Sequence, residues 1–537
     1  MRKQTIILAL SIISMLNACK PKQKLQEMTA VEEETFQDIQ LAAPKADALS
    51  YPECCKISET NYAEFNTEQY DYQQENGFKT AKENPLSTFS IDVDRASYSN
   101  IRRILNSGKL PPKGAVRIEE MINYFTYNYP KPVEQPFSIT TEYGSCPWNK
   151  EHQMVLIGLQ GKAYEEEITP PYNLTFLIDV SGSMEAADKL PLVKKALKLL
   201  TARMRVKDCI SIVVYAGNAG LVLAPTYGTE KDKIYNAIDE LSSGGSTAGG
   251  EGIKLAYKTA NLNFSKSKIN RVILATDGDF NVGVSSDDEL VGLIEKERAT
   301  GIFLTVLGFG SGNYKDSKME KLADKGNGNY AYIDNEQEAK KVLITEIGGT
   351  LQTIAKDVKI QVEFNPENVK AYRLIGYENR VLNNEDFNDD TKDAGELGAG
   401  HCVTALYEII PAGSTEQVPQ SDPLKYQQAT IQASKLNEHE LLTVKFRFKK
   451  PDSDEKSILM QQIVHTSKLN KTTSANFLWA TTVASFGMLL SHSDYAGILS
   501  YNSLKSYLKQ INIADLDENK LEMINLIEKA EQLGKND

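Results

Sequence analysis

Between Asn173 and Thr353 the chain alternates short apolar runs with amphipathic stretches, and this alternation restricts the fold more than any other feature. The runs Leu174 to Ile178, Ile210 to Tyr215, Arg271 to Thr276, Phe303 to Phe309 and Tyr330 to Ile333 are short and rich in β-branched and aromatic residues. Runs of that kind predict strands covered on both faces. Between them, Leu190, Val193, Leu197 and Leu200 share one helical stripe, and Ile234, Ile238 and Leu241 share another. A third helix carries Leu290, Leu293 and Ile294, with Asp287 or Asp288 as its cap. Leu221 to Pro225 reads as a short edge strand hairpinned to its predecessor, and Glu336 to Thr353 as a closing helix. Strands alternating with helices call for an α/β unit whose doubly wound parallel sheet has helices on both faces.

The first run ends in Asp179-Val180-Ser181-Gly182-Ser183, which puts one carboxylate and two hydroxyls on the loop leaving a buried strand. Ser246 and Thr247 sit in the glycine-rich stretch Ser243 to Gly250, and Asp277-Gly278 closes the third run. Loops at the carboxyl ends of parallel strands converge on one crevice. The gathered donors are hard oxygens without histidine or thiol, which suits Mg²⁺ or Mn²⁺, with Ca²⁺ as a further candidate, better than zinc. The plainer alternative is a set of turn and capping residues that binds no metal.

This constellation resembles the metal-ion-dependent adhesion site of a von Willebrand factor type A domain, over Asn173 to about Thr353. The resemblance implies a Rossmann-like sheet in which Ser181, Ser183 and Thr247 touch the cation, while Asp179 and Asp277 hold it largely through water. It also implies a coordination position for an acidic residue of a partner protein, and hence a non-enzymatic, cation-dependent protein–protein interaction in adhesion or as an envelope scaffold.

A chain of 537 residues has room for several domains, and 41% hydrophobic with 25% charged residues is ordinary for a folded protein. The net charge of −12 argues against nucleic acid as a partner. Arg2-Lys3, the apolar stretch Ile6 to Leu16 and the box Leu16-Asn17-Ala18-Cys19 read as a signal segment. The box resembles that of bacterial lipoproteins, which implies that Cys19 carries lipid and anchors the chain to a bacterial membrane, the outer one by preference, facing periplasm or surface. An ordinary secretory signal is the alternative. Phe477 to Leu490 is the most apolar later stretch, but it is short and interrupted by Thr481, Thr482 and Ser485. Cys209 opens a strand and is expected to be a buried thiol.

The expected organisation is a signal segment over 1–19, a disordered tether over 20–86, a small α+β module over 87–135, and strands over 136–165. The type A domain covers 170–354, a β-sandwich 355–470, and helices 471–537. The strands over 136–165 have no local sheet, so they are assigned to the later sandwich, with the α/β domain inserted between. A flexible tether of about 65 residues spans roughly 45 Å on average. The segments Thr88 to Asp94 and Tyr372 to Asn379, with this module order, resemble bacterial envelope proteins of the YfbK type. That resemblance concerns architecture and leaves the biochemical role open.

Two other groupings offer competing chemistry. Asp92 and Asp94 after an apolar strand resemble in part the haloacid-dehalogenase phosphatases, which implies a metal-assisted phosphohydrolase using Asp92 or the central cation, but Ala96 stands where that family's pattern has Thr or Val; helix capping is the simpler role. Asp386, Asn388, Asp390 and Asp393 have some calcium-loop spacing, yet Thr391 and Leu397 occupy the positions where a glycine and a glutamate are needed. A third functional alternative is a scaffold whose metal is purely structural.

Overall fold

A computed structural model describes residues 68–163, 169–245, 249–278, 287–312, 314–346, 352–392, 394–418, 439–451, 456–469, 473–512 and 516–535. The signal segment, Cys19, Cys54, Cys55, Thr247 and Asp393 lie outside these residues.

The chain opens with β1 (Lys79–Thr80), β2 (Leu86–Ser90), α1 (Ala96–Asn106), α2 (Ile118–Tyr124), β3 (Phe137–Ser145) and β4 (Gln153–Gly161). An α/β stretch follows: β5 (Tyr172–Asp179), α3 (Leu190–Arg203), β6 (Cys209–Tyr215), β7 (Ala219–Tyr227), α4 (Lys231–Asp239), α5 (Gly249–Leu262), β8 (Ile269–Thr276), α6 (Asp287–Thr300), β9 (Phe303–Phe309), α7 (Asp316–Lys325), β10 (Tyr330–Ile333) and α8 (Glu336–Lys340). Then come β11 (Thr353–Phe364), β12 (Val369–Ile375), β13 (Val381–Leu382), β14 (Gly395–Gly398), β15 (Cys402–Pro411), β16 (Glu440–Lys449) and β17 (Ile458–His465). The helices α9 (Ala475–Ser491), α10 (Tyr501–Leu508) and α11 (Glu518–Leu533) end the chain.

The central sheet has strand order β10-β9-β8-β5-β6-β7, parallel except for the β6–β7 pair. Its inner strands bury both faces: Phe176 and Ile178 join a core with α3, α4 and α8, while Leu177, Val213 and Leu274 join another with α5, α6 and α7. Running apolar sequence is what such a strand requires. Cys209 is buried at the start of β6.

Two further sheets, ordered β1-β12-β15-β4-β3 and β13-β2-β11-β16-β17, share one core from Phe89 and Ile360 on one to Ile157 and Tyr407 on the other. The strands β3 and β4 precede the α/β domain, yet β4 pairs with β15 beyond it, Leu156 opposite Leu406. The α/β domain is therefore inserted in a β-sandwich. On the outer side of the first sheet, α9 is buried almost all round against α2, α10 and α11, with Phe477, Trp479 and Phe486 in its core. A helix apolar on every face needs such enclosure. Ser474 caps it, its hydroxyl accepting from Phe477 N. No helix among the described residues is long and apolar enough to cross a membrane.

Two local expectations change. The tether, expected to reach residue 86, gives way earlier: Gln69 N donates to Tyr314 O at 3.0 Å, Glu68 pairs with Arg103 at 2.9 Å, and Thr80 pairs with Ala371 in the sheet. These partners are far away in sequence, so no local period marks the segment. The closing helix, expected over 336–353, is α-helical only to Lys340, with one wider turn over Lys341–Thr345. Thr353, expected to end that helix, opens β11 instead. The last helix turns Met523, Leu526, Ile527 and Ala530 inward and leaves Leu521 40% exposed.

Candidate functional site

At the carboxyl end of β5, the side chain of Asp179 is fully buried. One oxygen, Oδ1, accepts from Ser181 N at 2.9 Å; the other, Oδ2, accepts from Tyr215 OH at 3.0 Å and Thr276 Oγ1 at 3.3 Å. Three donors thus fix the carboxylate, two of them on the neighbouring strands β6 and β8. Burial raises the Asp179 carboxyl above its ordinary range, hydrogen bonds from Ser181 oppose that, and the charge of Asp277 adds to it. The two loop hydroxyls, Ser181 Oγ and Ser183 Oγ, are 3.0 Å apart.

Backbone bonds press the glycine-rich loop onto this one. Gly244 N donates to Val180 O at 2.7 Å, and Gly182 N to Gly245 O at 3.2 Å. Gly245 takes φ +89°, a left-handed conformation that favours glycine. Thr247 follows Gly245 by two residues in sequence.

Asp277 follows β8, and β8 pairs with β5 in parallel, Ala275 opposite Ile178. The two site carboxylates therefore leave neighbouring strands at the same sheet end. Asp277 Oδ2 accepts from Lys189 Nζ at 2.9 Å, and both side chains are buried. The lysine stem crosses Gly310, where an added Cβ would lie 2.3 Å from Lys189 Cε. Gly310 itself has φ +73°. Sequence reasoning passed over Lys189 and Tyr215; the position of Lys189 directly before the α3 stripe, ten residues past Asp179 on the same crossover, was the available signal.

The donor set fits a hard divalent cation: two hydroxyls within hydrogen-bond distance, two buried carboxylates, and no thiol or imidazole among the described groups. Ser181, Ser183, Asp179 and Asp277, with Thr247 from the adjoining loop, are the residues that would hold it.

The competing groupings are otherwise engaged. Asp94 does not cap α1; its Oδ1 accepts from Tyr330 N at 2.9 Å, at the amino end of β10, and its Oδ2 pairs with Arg380 at 3.1 Å. Asp92 lies 3.4 Å from the same guanidinium. Asp386 closes a capping box with Asn383, and Asp390 pairs with Arg447 at 3.1 Å, so the calcium-loop spacing serves a turn and an ion pair.

Comparison with known proteins agrees with this architecture. Family profiles match at residues 64–156 ("von Willebrand factor"), 173–346 ("von Willebrand factor type A domain") and 349–533 ("Uncharacterized protein YfbK, C-terminal"). The chain is 39% identical over 495 residues to "Uncharacterized protein YfbK" of Escherichia coli (strain K12), covering 90% of this chain and 85% of that one. It is 30% identical over 185 residues to "Uncharacterized protein sll0103" of Synechocystis sp., covering 34% of this chain and 42% of that protein. Among solved structures, "von Willebrand factor type A from Catenulispora acidiphila" aligns with 15% identity and a TM-score of 0.40, over 72% of this chain and 88% of that one. The chain thus belongs to the YfbK family, and its centre is a von Willebrand factor type A domain.

Proposed function

We propose that the chain is a lipid-anchored envelope protein whose type A domain binds another protein through a divalent cation, without covalent chemistry. The type A domain itself points to a protein-interaction or scaffold role. The observation that carries the finer reading is the pair of hydroxyls, Ser181 and Ser183, 3.0 Å apart beside the buried carboxylates of Asp179 and Asp277. Mg²⁺ or Mn²⁺ supplies positive charge to an incoming Glu or Asp of the partner. The protein's part is to hold its own oxygens in place: Tyr215 and Thr276 fix Asp179, and Lys189 fixes Asp277.

Asp92 and Asp94 are tied to Arg380 at the amino end of the sheet, which supports an interface role for them over phosphohydrolase chemistry. The test is capture from the parent cell's envelope in magnesium and in chelator, with Asp179→Ala as control. The identified partner is then recaptured after its interface acid is changed to the amide. Magnesium-dependent capture lost in both variants supports the reading; capture indifferent to magnesium refutes it.

A further inference from the structure

Arg271 stands near the amino end of β8, and Asp277 follows the other end of that strand, roughly 20 Å away. It is 2% exposed. Among the described residues its guanidinium makes one hydrogen bond, from Nη1 to Thr305 Oγ1 at 2.7 Å, and it lies 5.7 Å from the centre of the Phe303 ring. Its Nε is buried and has no acceptor among the described residues. Arginine carries five donors and a permanent charge, so a buried one with a single acceptor is short of hydrogen bonds and of adjacent counter-charge.

The guanidinium borders a cavity of about 500 Å³ between the type A domain and the sandwich, with Arg298, Lys325 and Arg380 also on its wall. The acids on that wall already have partners. Asp92 and Asp324 pair with Arg380, and Glu295 with Lys325 at 3.1 Å. Glu396 is the carboxylate whose field reaches Arg271, but its oxygens accept from Thr353 Oγ1 at 2.6 Å and Asn327 Nδ2 at 3.2 Å. Burial pushes the Arg271 guanidinium down to about 10, the direction that follows from too little compensating charge.

The wall is also held in shape. Asn327 has φ +48°, and its side chain bridges Arg298 and Glu396. Gly328 lies so close to β9 that an added Cβ would sit 1.6 Å from Leu304 O. A fixed, polar, concave site with a desolvated cation facing it is built for an oxyanion.

We propose that this cavity binds a small polar molecule through a phosphate or carboxylate group received by Arg271. The volume exceeds what a bare ion fills, leaving room for hydroxyl or amino groups against Asn329 and Asn379. The site is independent of the cation site at the opposite end of the sheet.

The test uses the full mature chain, titrated with inorganic phosphate or malonate against chloride at matched ionic strength, and followed by calorimetry and melting temperature. Saturable binding of one anion is expected, with affinity at least tenfold weaker in Arg271→Gln, intermediate in Arg271→Lys, and unchanged by magnesium. The preferred probe separates a phosphate from a carboxylate ligand. No saturable binding of either anion by the wild-type chain at tens of millimolar overturns the proposal. So does equal affinity in wild type and Arg271→Gln or, if that variant does not fold, in wild type and Arg271→Lys.

Discussion

Lys189 Nζ sits 2.9 Å from Asp277 Oδ2, inside the loops that form the candidate cation site. A buried carboxylate needs compensating charge, and the ammonium provides it without a metal. A bound cation and Lys189 then share one acid. Lys189→Met should destabilise the magnesium-free protein by about 3 kcal/mol, because Asp277 stays buried after losing the ammonium beside it. Magnesium should restore more stability to the variant than it adds to wild type. Melting curves with and without magnesium check this.

Arg117 places one guanidinium against three carboxylates: Glu120 at 3.3 Å, Asp316 at 2.9 Å, and Glu320. Glu320 also reaches Arg380 at 3.1 Å, which leaves Arg117, among the described residues, as the one cation beside both Glu120 and Asp316. Burial first, then the neighbouring acids, lift Asp316 to about 8 and Glu120 to about 7, with Arg117 pulling the other way. Between the unfolded carboxylate value of about 4 and these raised values, the folded chain binds more protons than the unfolded one. The stability these acids contribute is full below about pH 4 and is lost as pH rises through the folded values. Unfolding in urea should therefore need on the order of 1–3 kcal/mol more at about pH 5.5 than at about pH 8.5. Glu120→Gln should flatten that slope.

Arg102 joins three parts of the chain. It bonds Asp334 at 2.8 Å, Glu338 at 2.7 Å and Glu522 at 3.0 Å, on the type A domain and the last helix. Tyr124 OH donates to the same Glu338 at 2.6 Å. Arg102→Ala should cost about 3–5 kcal/mol, since it strands buried carboxylates. Denaturation midpoints measure the loss, and faster amide exchange over Glu336–Thr345 should accompany it. Arg102→Lys should recover little, because an ammonium lacks the planar fork.

Under the proposed anchoring, Cys19→Ser should move the mature chain from the membrane to the soluble fraction of the parent cell and abolish metabolic labelling by fatty acid. Membrane retention in that variant would argue for a different attachment.

The α/β core was legible because each inner strand is a short apolar run, and each crossover helix carries a stripe such as Leu190, Val193 and Leu197. The insertion into the sandwich was legible because the strands over 136–165 have no local sheet beyond their own hairpin; β15, past the α/β domain, pairs with β4. Charged contacts were not legible. Arg102, Arg117, Arg271 and Arg380 face groups dozens to hundreds of residues away, and no period in sequence announces a buried ion pair. Lys189 was hidden differently: it reads as an ordinary residue before a helix until Gly310 lets its stem reach Asp277.

Magnesium titration by calorimetry, wild type against Asp179→Ala, tests the cation site most directly. The wild-type chain is expected to bind one equivalent of magnesium saturably, and the variant, still folded by circular dichroism, to bind none. Equal heats in the two proteins, or no saturable binding in the wild type, would contradict it.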